Sequence, residues 1–314
     1  MWMIWAAVGA TLAVLITPTV YRNLNQKPAD GLIAGLIVGI IGSVPGLILF
    51  WLILPYRFRQ GDKSPSPLDG FRPSSAIQMD SHNLLEVREI HTFIGQFHIL
   101  EGVTLEVPRG SITVLLGRNG AGKTTTLRSI IGLNNARNGA ILYNGRNITQ
   151  STAHEIAASG IGYVPENRAI FKELSVRENL EIAARKRGDL ERTQKFIFEL
   201  FPDLERLIDL PGGNLSGGQQ QMLAIARALV PDNDLLLIDE PSEGLAPVII
   251  DQLMAAIKEL AKHKTVLLVE QNFRVASRLA DRYVIVDDGH SVMSGEMADL
   301  VNSPDVIKRY LGVA

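Results

Sequence analysis

Hydrophobic and polar positions change texture twice along the chain. Residues 1–21, MWMIWAAVGATLAVLITPTVY, contain no charged side chain, and neither do residues 31–56. The second run would be about 39 Å long as a helix at about 1.5 Å per residue. A bilayer core is about 30 Å thick, so this run can cross it with some tilt. The first run is close to the lower limit for a span, because Pro18 ends its regular part. The pattern predicts a transmembrane hairpin over residues 1–59, with helices near 2–20 and 31–55. A single span with an interfacial helix, and a buried soluble helix, stand as alternatives. So does a cleaved signal peptide, although no charged region precedes the apolar stretch. Gly31, Gly35 and Gly39 recur on one face of the second helix. Small residues at that spacing let helices approach closely in lipid, but glycine is also simply common in membrane helices.

Residues 60–82 are rich in Ser and Pro, lack hydrophobic periodicity and read as a linker. From residue 83 to 314 the texture is that of one α/β domain. SITVLL at Ser111–Leu116 and DLLLID at Asp234–Asp239 are short apolar runs of the kind that form buried parallel strands. Helical patterns follow Gly122 as far as Ile131 and cover Met222–Val230.

Charge refines this division. Of 314 residues, 31 are Lys or Arg and 33 are Asp or Glu, a net of −2. Residues 1–60 hold Arg22, Lys27, Arg57 and Arg59 against Asp30, a net of +3 that leaves −5 for the rest. A negative soluble part argues against nucleic acid as a partner, because that role needs cations to neutralise phosphates. Arg57, Arg59 and Lys63 follow the second apolar run and place its C-terminal side in the cytoplasm. The chain has no cysteine, which excludes disulfides, thiolate metal sites and cysteine nucleophiles.

The chemistry is concentrated in three segments. Directly after the strand SITVLL comes Gly117-Arg118-Asn119-Gly120-Ala121-Gly122-Lys123-Thr124, followed by a helix. This is a phosphate loop in its expected context. Its glycines let backbone N–H groups and the helix N-terminus point at phosphate oxygens. Lys123 can reach the β- and γ-phosphates, and the Thr124 hydroxyl can ligate Mg²⁺. The second segment ends the strand DLLLID in Asp239 and Glu240. Carboxylates closing an apolar strand are costly unless something binds them. Asp239 is placed to hold Mg²⁺, and Glu240 to orient and polarise a water. In the third, Leu215-Ser216-Gly217-Gly218-Gln219-Gln220-Gln221, Ser216 reads as an N-cap with free N–H groups behind it. The plain alternative is a capped helix and nothing more. A second anion site on one chain suggests a head-to-tail dimer, each ATP sandwiched between one chain's loop and the other's Ser-Gly-Gly.

With GRNGAGKTT, LSGGQQQ and LLLIDEP in this order, the sequence resembles the ATP-binding-cassette (ABC) transporter ATPases from about Leu84 onward. The resemblance implies a P-loop nucleotide-binding domain with a RecA-like core, an antiparallel β subdomain and a helical subdomain near residues 170–230. It implies ATP and Mg²⁺ as ligands and a nucleotide site of Gly117 to Lys123, Thr124 and Thr125. It also implies a signature of Ser216, Gly217, Gly218 and Gln219 that meets the partner chain's ATP. Four departures narrow the identity. Glu166 stands where the Mg²⁺-facing glutamine is usual, Ala246 where an aspartate is usual, and Gln271 where the switch histidine is usual. Ile94 falls at the adenine-stacking position, with Phe93 and Phe97 beside it and the stacking residue left open. One reading is a degenerate ATPase. The other is a subfamily that carries these variants and still hydrolyses ATP, with Glu240, Gln271 and Lys123 as its catalytic set and Thr124, Asp239 and Glu166 around the metal.

VPENRAIF, EPSEGLAP and LLVEQN resemble the second ATPase subunit of branched-chain amino-acid importers, and the related subunit of urea and short-chain amide importers. That resemblance implies permease subunits, a second cassette, a solute-binding protein and a place at the inner membrane facing the cytoplasm. A cassette acting in translation or repair is the reading from another class. It is disfavoured by the single cassette and the two apolar runs.

Overall fold

The computed structural model describes residues 82–312. The predicted hairpin over residues 1–59, and the linker but for its last residue, lie outside the described residues. Among the described residues no helix is long and apolar enough to cross a membrane.

Strands β1 (Asn83–Ile94) and β2 (Phe97–Pro108) form a long hairpin. β4 (Ala136–Tyr143) lies on the other side of β1, and β5 (Arg146–Asn147) follows it in an antiparallel sheet of order β2-β1-β4-β5. On β2 the buried residues are Leu100, Val103, Leu105 and Val107, with exposed positions between them. That alternation marks a sheet covered on one face only.

The second sheet has the order β10-β9-β3-β8-β7-β6. It is built from β3 (Ile112–Leu116), β6 (Ile161–Val164), β7 (Leu235–Asp239), β8 (Thr265–Glu270) and β9 (Arg282–Asp287), all running parallel. Strand β10 (His290–Glu296) closes one edge antiparallel to β9. Every residue of β3, β7 and β8 is buried, as expected for central strands covered on both faces. Successive side chains divide between two cores. Val114, Leu116, Leu236, Ile238, Val266 and Leu268 belong to one, whereas Leu115, Leu235, Leu237, Leu267 and Val269 belong to the other. Each such buried side chain contributes about 1.5–3 kcal/mol of transfer free energy. The second core also takes in the inner face of the antiparallel sheet and helix α1 (Lys123–Ile130).

Helix α2 (Ala153–Ala158) precedes β6. Between β6 and β7 lie α3 (Val176–Glu181), α4 (Asp189–Leu200), α5 (Pro202–Arg206) and α6 (Gly217–Leu229), which is the expected helical region near 170–230. Asn179, fully buried, holds the entry to this region. Its Nδ2 donates to the carbonyls of Phe171, Leu174 and Ser175, and its Oδ1 accepts from Phe171 N. Thr152 with Glu155, Ser175 with Glu178, and Ser216 with Gln219 form reciprocal capping boxes that start α2, α3 and α6. The chain continues through α7 (Pro247–Ala261), α8 (Phe273–Leu279), α9 (Met297–Val301) and α10 (Pro304–Leu311). The antiparallel sheet, the parallel core and the helical region match the architecture that the resemblance implies.

Candidate functional site

The carboxyl ends of the parallel strands converge on one edge, where open α/β sheets place their ligands. The loop after β3, Asp239 ending β7, Glu270 ending β8 and the turn after β6 all lie there.

The loop from Gly117 to Gly122 needs its glycines for stated reasons. Gly117 has φ +155, and a Cβ there would collide with the carbonyl oxygen of Val286. Gly122 caps α1 at φ +109, and a Cβ would lie 2.7 Å from Leu100 Cδ2. No side chain caps α1, so its first-turn N–H groups remain available at the loop. Asn119 and Gly120 are exposed at the tip, and Ala121 is packed inward, its carbonyl accepting from Gly289 N. Arg118 is exposed, and its Nη2 donates to the Arg309 carbonyl at the end of α10. Thr125 is partly buried, and its carbonyl accepts from Ser129 Oγ.

Lys123 is only 4% exposed. Its ammonium lies 3.2 Å from the Arg118 carbonyl and 3.2 Å from Glu240 Oε1, which joins the loop to the acid after β7. A phosphate oxygen entering the loop would compete with Glu240 for this ammonium. Glu240 itself has φ +42, an uncommon left-handed conformation for a non-glycine residue, held by its N–H donating to Val269 O at 3.0 Å.

Asp239 is buried, and burial pushes its carboxyl above the ordinary range. Hydroxyls of Thr124, at 3.1 Å, and Tyr163, at 3.3 Å, donate to its two oxygens and pull the other way. The charges of Glu240 and Glu166 add to the rise. A desolvated carboxylate accepting from a threonine hydroxyl, with the charge of Glu166 acting on it, offers the one or two hard oxygen ligands that Mg²⁺ takes from protein beside a phosphate. These residues therefore fit Mg²⁺. Glu166 is exposed; desolvation, and after it the charges of Glu166 and Glu240, lifts the Glu243 carboxyl above its ordinary range. Gln271 is exposed immediately after β8.

Ser216 caps α6 as its sequence indicates, accepting from Gln219 N at 3.3 Å, while its own N–H donates to Gln219 Oε1 at 3.0 Å. Gly218 is needed because a Cβ would overlap Ile249 of α7. Ser216 and Gly217 are exposed. Among the described residues no hydrogen bond or ion pair joins Ser216–Gln219 to the loop at 117–125.

The hairpin tip distributes the three candidate aromatic-face residues differently. The β1–β2 ladder slips between Thr92 and Phe93. Phe93, however, stacks on His98 at 4.1 Å, and Arg137 lies 4.2 Å above its ring. Ile94 and Phe97 are exposed, Phe97 at 65%. The sequence reading passed over Tyr163, whose hydroxyl is pushed up to about 12 by burial and by Asp239, and also Ser242 and Glu270. A tyrosine one residue before the end of a buried strand was the available signal for the first. Glu270 showed only as a carboxylate ending a second apolar strand.

A family model described as "ABC transporter" matches residues 100–243. The chain is 40% identical over 232 residues to the high-affinity branched-chain amino acid transport ATP-binding protein BraG of Pseudomonas aeruginosa, spanning 73% of this chain and 100% of that protein. It is 34% identical to the probable branched-chain amino acid transport ATP-binding protein LivF of Archaeoglobus fulgidus, over 73% of this chain and 99% of the relative. Among solved structures, an ATP-binding cassette of an ABC transporter in its ADP conformation superposes with a TM-score of 0.66 at 28% identity, covering 74% of this chain and 99% of that chain.

Proposed function

The chain belongs to the ABC transporter ATPases, and from that premise we propose that it powers an importer of branched-chain amino acids. As a member of the family it binds ATP with Mg²⁺ and hydrolyses it as a subunit of a membrane transporter. The cargo rests on the 40% identity to BraG over that relative's whole length, joined to the VPENRAIF, EPSEGLAP and LLVEQN segments.

In the site, Lys123 and the N–H groups of Gly117–Thr125 hold the phosphates in place. Glu240 orients the attacking water and takes its proton, and Gln271 donates through its amide to the γ-phosphate. Thr124, Asp239 and Glu166 are the residues that would hold Mg²⁺, which when bound offsets charge developing on the phosphate oxygens. Catalysis is then mostly positioning and charge stabilisation. The single observation carrying this assignment is the pair of contacts Lys123–Glu240 and Thr124–Asp239, which bring the loop and the acidic strand end together.

The cassette occupies residues 83–314, and residues 1–59 anchor it at the inner membrane with the cassette on the cytoplasmic side. Its partners are a permease pair, a second cassette and a solute-binding protein outside. A loaded binding protein stimulates turnover only if it favours the closed assembly, because a ligand shifts an equilibrium by its differential affinity.

The test reconstitutes the chain with its permeases and binding protein and measures ATPase activity with leucine, isoleucine, valine, urea and acetamide. Stimulation by leucine and not urea is expected. The reverse would move the cargo to urea or an amide, and stimulation only by a sugar or metal would end the cargo assignment.

A further inference from the structure

We propose that Glu270 is a positioning residue that ties the segments carrying Glu240 and Gln271 into one unit, an inference that rests on the roles given above to those two residues. Glu270 ends β8, lies beside Leu116 in the register with β3, and is 1% exposed. Its carboxylate accepts three hydrogen bonds. Ser242 supplies two, from its N–H at 3.3 Å and its Oγ at 3.0 Å, and Asn272 N–H supplies the third at 3.3 Å. Ser242 lies two residues after Glu240, and Asn272 one residue after Gln271. The carboxylate therefore clamps the turn behind the candidate base to the turn behind the candidate γ-phosphate donor.

An apolar residue would end a buried strand at less cost, since a desolvated carboxylate is tolerated only when donors fill it. All three donors come from the two segments whose relative position the chemistry depends on. Hydrogen bonds to a charged acceptor are also about twice as strong as neutral ones. Removing the charge lets the two turns move independently while leaving the phosphate loop untouched.

The clamp also titrates. Burial lifts the Glu270 carboxyl to about 7, the three donors oppose that rise, and the charge of Glu240 adds to it. In the ionised form both oxygens accept. In the protonated form one oxygen becomes a donor and the neutral carboxyl accepts more weakly, so its hold on Ser242 and Asn272 loosens. Turnover should therefore fall on the acid side as the clamp loosens.

The experiment measures ATP hydrolysis by the full chain, assembled with its permeases, from pH 6 to 9. It compares the parent with Glu270→Gln, Glu270→Asp, Ser242→Ala and Glu240→Gln. The parent should show an inflection in kcat near 7. Glu270→Gln should lower kcat about tenfold at pH 8, the order of loss expected from a small misplacement of catalytic groups, with little change in KM for ATP and no inflection. Glu270→Asp should recover the inflection. Ser242→Ala removes one donor to the anion, so it should move the inflection to higher pH. Parental kcat and inflection in Glu270→Gln would overturn the proposal, as would an unmoved inflection in Ser242→Ala, which decides the matter if Glu270→Gln fails to fold. A Glu240→Gln variant with parental turnover would instead remove the premise, and the inference with it.

Discussion

At the scale of single residues, charge and desolvation organise the site. Lys123 and Asp239 are both buried, and each would be costly alone. Lys123 is offset by Glu240 and the Arg118 carbonyl, Asp239 by two hydroxyl donors. Glu240 is the partner of Lys123 in the free protein, and the role proposed for it is that of base when nucleotide occupies the loop. Glu240→Gln keeps the size of the side chain and its hydrogen bonding but cannot take a proton. Its kcat should fall by at least about a hundredfold, the lower range of a general base's contribution, while nucleotide binding persists. A fluorescent ATP analogue with single-turnover hydrolysis separates the two quantities, and parental turnover would refute the role of Glu240. Lys123→Ala should lose the binding itself.

At the scale of elements, the N-terminus of α1, which no side chain caps, is the proposed anion site, and its aim depends on Gly122. The residue is left-handed at φ +109, and a methyl group there would meet Leu100 on β2. Gly122→Ala carries a backbone cost of about 1–3 kcal/mol as well as that contact. The strain is expected to appear as a lower Tm, by about 2–4 °C per kcal/mol for a domain of this size. ATP affinity should fall at least tenfold, because the first-turn N–H groups turn away from the phosphates. Calorimetric titration together with thermal unfolding would test this, and unchanged affinity would show that the loop tolerates the methyl group. Helix α6 follows the same logic at its own end. Ser216 and Gln219 cap it locally, whereas Gly218 answers to a distant contact with Ile249.

At the scale of the whole molecule, Ser216–Gln219 has exposed helix-start N–H groups, and among the described residues no hydrogen bond or ion pair joins it to its own chain's loop. That arrangement predicts an ATP-dependent head-to-tail pair in which each nucleotide lies between two chains. Sedimentation of a Glu240→Gln cassette beginning at Leu84 should show dimer with ATP and monomer without it. Monomer in both samples would count against the composite site. The same comparison extends to the membrane. Full-length chain should resist extraction by alkaline carbonate, whereas the chain beginning at Leu84 should be soluble. Release of the full-length chain would reduce residues 1–59 to a peripheral contact.

The sequence by itself determined whatever depends on neighbours along the chain. A β-branched run, a glycine-rich turn and a helix start make a phosphate loop locally, and Ser216 caps α6 through a residue three positions away. These features need no knowledge of the sheet. Only the tertiary structure decided which distant side chains meet. Thr124 reaches Asp239 across 115 residues and Tyr163 reaches it across 76, because β6, β7, β8 and β3 are successive neighbours in the sheet. Strand order cannot be read from hydrophobic pattern, since every buried parallel strand shows the same apolar run. The occupied face of Phe93 was hidden for the same reason, because His98 and Arg137 come to it from β2 and β4. Glu270 shows the division most sharply: its sequence marks a costly carboxylate at a strand end, and the fold alone supplies the donors from Ser242 and Asn272 that make it tolerable.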